Sequence, residues 1–83
     1  HQLVPRHFET GYDLILANIL AEVIIELAAG LAAATRAGGL LVASGIIADR
    51  ADGVAAALEG VGIRPVEREQ EGDWVAIVGQ RED

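Results

Sequence analysis

From Tyr12 onward the apolar positions change their spacing several times along the chain. Residues 14–17, Leu-Ile-Leu-Ala, form an unbroken apolar run of strand length. Such a run is expected of a strand covered on both faces in a parallel sheet. Past Asn18 the spacing becomes helical. Ile19, Val23, Leu27 and Leu31, flanked by Leu20 and Ile24, recur at three- and four-residue intervals, with Glu22 and Glu26 off the stripe. This pattern predicts a helix of about four to five turns. Gly38-Gly39 reads as its stop signal, and residues 40–43 form a second continuous apolar run, again a buried strand. Asp49 with Asp52 reads as a capping pair for a second helix, whose buried face is Val54, Leu58 and Val61 and which Gly60 and Gly62 terminate.

The carboxyl-terminal third follows a different rule. Pro65 cannot donate to a ladder, which assigns the strand over residues 63–69 to a sheet edge. Glu71-Gly72-Asp73 is a turn signal before the β-prone residues 74–78, so the chain should close with an antiparallel hairpin. Right-handed crossovers then give three parallel strands and one antiparallel carboxyl-terminal strand, joined by two main helices. The expected spatial order is first, second, fourth, third. The fold class is α/β.

This topology brings distant residues to one rim. Asn18 stands at the carboxyl end of the first strand, where parallel sheets bind ligands. Ser44 and Trp74 converge on the same end, joined by Glu67, Glu69, Glu71 and Asp73, which give it a negative potential. Asn18 also suits a helix N-cap, worth about 1 kcal/mol. Ser44-Gly45 suits an ordinary strand-to-loop turn, Trp74 a cover for the core, and the carboxylates a solvated edge that discourages strand pairing.

Composition narrows the class. Eighty-three residues allow one modest core, and the absence of cysteine removes disulfides and thiolate metal sites, which favours a cytoplasmic setting. No apolar run approaches the roughly 20 residues of a membrane span. The net charge of −7 opposes direct nucleic-acid binding and favours a basic protein partner. All six basic residues are arginine. His1 and His7 lie in an unpatterned segment without a spaced carboxylate or cysteine partner, so no metal site is expected.

Four stretches carry a family resemblance: the run from Asp13 through Asn18-Ile19-Leu20, then Arg36-Ala37-Gly38-Gly39-Leu40-Leu41-Val42, Ser44-Gly45-Ile46-Ile47, and Glu71-Gly72-Asp73-Trp74-Val75-Ala76. In order and spacing, residues 12–81 resemble the carboxyl-terminal half of the PrmA-type methyltransferases, which modify a large-subunit ribosomal protein. The Asn-Ile-Leu triplet is its most specific part, because many related amino-methylating enzymes carry Asn-Pro-Pro-Tyr there. The Gly-Gly element recurs across S-adenosylmethionine-dependent methyltransferases generally. The family's glycine-rich cofactor loop, its ribose-holding acidic residue and its amino-terminal substrate-docking domain have no counterpart here, and residues 1–11 are unassigned.

The resemblance implies that residues 12–83 are the carboxyl-terminal half of a class I methyltransferase catalytic domain, with a partial Rossmann-like sheet. It implies methyl transfer from S-adenosylmethionine to amino nitrogens of a ribosomal protein, with Asn18 as the catalytic and cofactor-contacting residue. Ile19, Leu20, Ser44 and Trp74 would form the rim of the substrate pocket. In the family the first strand neighbours the cofactor-loop strand, so the resemblance implies an exposed apolar edge at residues 14–17. The chain alone should be inactive, and should pair with an amino-terminal half or with itself through the first strand. Two other readings stay open: a related methyltransferase with a small-molecule or nucleic-acid substrate, and a non-enzymatic α/β interaction module.

Overall fold

The computed structural model describes residues 12–18 and 20–82. In chain order the elements are β1 (Tyr12–Asn18), α1 (Ala21–Ala34), β2 (Thr35–Ile47), a short 3-10 turn (Ala48–Arg50), α2 (Ala51–Gly60), β3 (Ile63–Glu71) and β4 (Trp74–Arg81). They build one four-stranded sheet in the order β1-β2-β4-β3, as the crossovers and the closing hairpin predict. The β1–β2 ladder is parallel, and β4 runs antiparallel to both of its neighbours. Pro65 lies on the edge strand β3, and the pairing with β4 slips between Pro65 and Glu67. An edge is where a residue without an N–H costs the ladder least.

The first helix ends earlier than the glycine pair suggests. Thr35, fully buried, turns extended, and its Oγ1 donates to the Leu31 carbonyl at 2.8 Å. A β-branched residue bonded back onto the last turn closes the helix without glycine. Gly38 instead lies inside β2 with φ of 79°. The buried line of α1 is Ala21, Ile24, Ala28, Leu31 and Ala32, while Val23 and Leu27 are half-buried. Small alanine side chains fill the line facing the sheet, so the stripe expected through Val23 and Leu27 falls on its flank. On α2, Val54 and Leu58 are fully buried, whereas Val61 is only half-buried at the C-cap. The Asp49/Asp52 capping pair does not form: neither the 3-10 turn nor α2 has a side-chain cap, and Asp52 Oδ1 accepts from Arg68 Nη2 at 3.0 Å.

Both helices cover the same sheet face. Ile15 and Ala17 of β1, Leu41, Ala43 and Ile46 of β2, Ile63 of β3, and Val75 and Ile77 of β4 share one buried cluster with Ile24, Leu31, Val54 and Leu58. The opposite face carries no layer from the described residues: Leu14 is 51% exposed, Leu16 53% and Leu40 37%. The unbroken run in β1 therefore does not mark coverage on both faces by the described residues. Among the described strands β1 is a sheet edge, as expected, and within residues 14–17 the apolar exposure comes from Leu14 and Leu16, because Ile15 and Ala17 point into the core. Among the described residues no helix is long and apolar enough to cross a membrane.

Candidate functional site at the carboxyl end of the first strand

Asn18 is the last residue of β1 and pairs with Ser44 of β2. The two-residue strand period places it on the bare face with Leu14 and Leu16, and it is exposed. It does not cap α1. Leu20 holds the N-cap position, with φ −59° and ψ 147°, no side-chain cap is present, and the Leu20 carbonyl accepts from the N–H groups of Val23 and Ile24 at 2.9 and 3.0 Å. Asn18 stands two residues too early to serve the first turn. Its amide hydrogen-bonds to no other described residue. A helix-capping role is thereby removed, and the amide is left facing solvent.

The neighbouring strand is shaped around it. The β2–β4 pairing shifts register between Ala43 and Ile46, so Ser44-Gly45 forms a bulge within β2 and not the expected strand-to-loop turn. Gly45 has φ of 73°, and a Cβ added there would overlap Asn18 Oδ1. Trp74 begins β4, pairs with Ile47 and Glu71, and is 59% exposed. The turn before it is anchored by the Ala48 N–H, which donates to the Asp73 carbonyl at 2.8 Å.

Two open grooves result. One, of about 460 Å³, is lined by Asn18, Leu20, Gly45 and Trp74. The other, of about 350 Å³, has Ser44, Gly45, Glu69, Glu71 and Trp74 among its lining residues. Asn18, Leu20 and Trp74 thus meet at one rim. Ser44 lines the adjoining groove, and Ile19 lies outside the described residues, as do His1 and His7. Glu69 and Glu71 edge the second groove, while Glu67 and Asp73 are exposed and line neither. Gly45, common to both grooves, entered the sequence reading only as the second residue of an expected Ser44-Gly45 turn. A glycine within an otherwise apolar strand run is the signal for such a bulge.

A neutral amide flanked by Leu20 and Trp74 suits positioning of a polar group beside apolar walls, and no described cluster of histidine, aspartate and glutamate could hold a metal ion. A family model described as ribosomal protein L11 methyltransferase (PrmA) matches residues 2–82. The chain belongs to the PrmA family. Among curated PrmA relatives, the ribosomal protein L11 methyltransferase of Chloroflexus aurantiacus is 49% identical over 73 residues, covering 88% of this chain and 22% of the relative. Its counterpart in Listeria monocytogenes is 45% identical over 73 residues, covering 88% and 23%. The chain therefore spans about a fifth of the length of these relatives. The crystal structure of the ribosomal protein L11 methylase from Lactobacillus delbrueckii subsp. bulgaricus superposes with a TM-score of 0.79 at 28% identity, over 86% of this chain and 37% of that one.

Proposed function

We propose that residues 12–83 are the carboxyl-terminal half of a class I methyltransferase domain which, in the longer protein, transfers methyl groups from S-adenosylmethionine to amino nitrogens of ribosomal protein L11. The observation that carries this reading is the placement of Asn18: an exposed amide without a capping duty, at the end of a parallel strand, sharing a groove with Leu20 and Trp74. Family membership supports the reaction class and the protein substrate. The relation of β2 and β3 to β4, both antiparallel, agrees with three strands of common direction and one reversed, as in the expected methyltransferase sheet.

A lysine amine has a reference pKa near 10.4, so its neutral, nucleophilic form costs about 4 to 5 kcal/mol at pH 7. S-adenosylmethionine supplies an electrophilic methyl on a sulfonium. What this chain supplies is position. Asn18 Oδ1, as a neutral acceptor, orients an amine N–H without stabilising the ammonium form as a carboxylate would. Leu20 and Trp74 give the amine apolar walls on either side of the groove. Correct alignment of reacting groups is worth about 7 to 11 kcal/mol, so few acid-base groups are needed.

The residues of this groove fit the transfer end of the donor site. Contacts to its ribose and adenine belong to the rest of the longer protein. The test is incubation of the full-length protein with purified L11 and methyl-labelled S-adenosylmethionine. Label in L11 is expected. Label found only in RNA or in a small-molecule pool would overturn the substrate assignment.

A further inference from the structure

We propose that Gly45 is a positioning residue for Asn18: the space where its side chain would stand is the seat of the Asn18 amide. The inference rests on the role assigned to Asn18 above. Two independent features meet at Gly45. Its φ of 73° is a conformation that favours glycine, and an added Cβ would overlap Asn18 Oδ1 and stand 3.4 Å from Asn18 Cγ. Gly38, in the same strand, separates the two features. Its φ is 79°, yet a Cβ there would meet nothing within 4 Å.

With no described hydrogen bond to hold it, the Asn18 amide is located by the surface it rests on. The bare Cα of Gly45 lets Oδ1 lie close against the β2 bulge, and the same glycine lines both grooves. A methyl group at that point drives Oδ1 outward, away from the line it must keep with an acceptor nitrogen. A displacement of about 1 Å in such a group can cost about a hundredfold in rate.

The experiment uses the full-length enzyme with L11 as substrate and compares Gly45→Ala, Gly38→Ala, Asn18→Ala and the Asn18→Ala/Gly45→Ala pair. Gly45→Ala should lower kcat by at least about tenfold with KM for L11 unchanged, whereas Gly38→Ala, which also places alanine at positive φ, should stay within about twofold of wild type. The double variant should be no slower than Asn18→Ala alone. If Asn18→Ala is slow but Gly45→Ala matches Gly38→Ala, or if the two losses multiply, the role of Gly45 is overturned while that of Asn18 stands. If Asn18→Ala turns over normally, both fall. Should Gly45→Ala fail to fold, recovery of folding in the double variant would identify the Asn18 overlap as the cause and support the proposal. Failure of both to fold would overturn it.

Discussion

If residues 12–83 are part of a larger methyltransferase domain, as proposed, replacing Leu14 and Leu16 together with threonine should weaken the association of this chain with the remainder of that domain, while leaving its own fold in place. Both leucines point away from the helices and are 51% and 53% exposed. Full burial of a leucine side chain contributes about 1.5 to 3 kcal/mol, so roughly half of that, about 1 kcal/mol per leucine, is still to be gained when a second layer covers this face. Threonine keeps the strand preference and removes most of the gain. For the pair, the loss of about 2 kcal/mol corresponds to roughly a 30-fold weaker Kd. The assay is sedimentation of the 83-residue chain titrated with a separately produced amino-terminal half, alongside urea unfolding of the chain itself. Ile15→Ala is the contrast. Ile15 lies between the two leucines but is 1% exposed in the core, and its truncation should cost about 2 to 5 kcal/mol of folding stability. An unchanged Kd for the double threonine variant, or a loss of stability as large as that of Ile15→Ala, would refute the assignment of the bare face.

Calorimetry on the isolated chain should detect no micromolar binding of S-adenosylmethionine, because one amide and apolar walls cannot offset an association entropy cost of about 4 kcal/mol or more. Gly79→Ala should lower thermal stability by about 1 to 3 kcal/mol, since the added Cβ would overlap the buried Ile63 Cγ2. Thr35→Val, which keeps shape but removes the 2.8 Å bond to the Leu31 carbonyl, should cost about 0.5 to 1.5 kcal/mol in urea unfolding.

Strand order and the meeting of Asn18 with Trp74 were legible because they follow from long-range rules: apolar runs mark strands, crossovers are right-handed, and Pro65 belongs at an edge. Local boundaries were less legible. The Gly38-Gly39 pair looked like a helix stop, but the buried hydroxyl of Thr35 closes α1 first, an outcome decided by tertiary packing. Asn18 looked like a cap for want of any signal that the helix begins at Ala21. The apolar run of β1 was read as a strand covered on both faces, whereas burial alternates along it and the described residues cover one face. The seat that Gly45 provides was invisible, since a contact between residues 18 and 45 depends on the bulge between Ala43 and Ile46.

Methyl transfer to L11 by full-length protein carrying Asn18→Asp or Asn18→Ser tests the central claim most directly. Since Leu20 and not Asn18 occupies the N-cap of α1, neither change removes a helix cap, and stability should shift by less than about 1 kcal/mol. Aspartate keeps the shape but stabilises the ammonium form of the acceptor, and serine withdraws the amide carbonyl, so kcat should fall at least about tenfold in each, a barrier increase of about 1.4 kcal/mol or more. Turnover close to wild type in both variants would contradict the account.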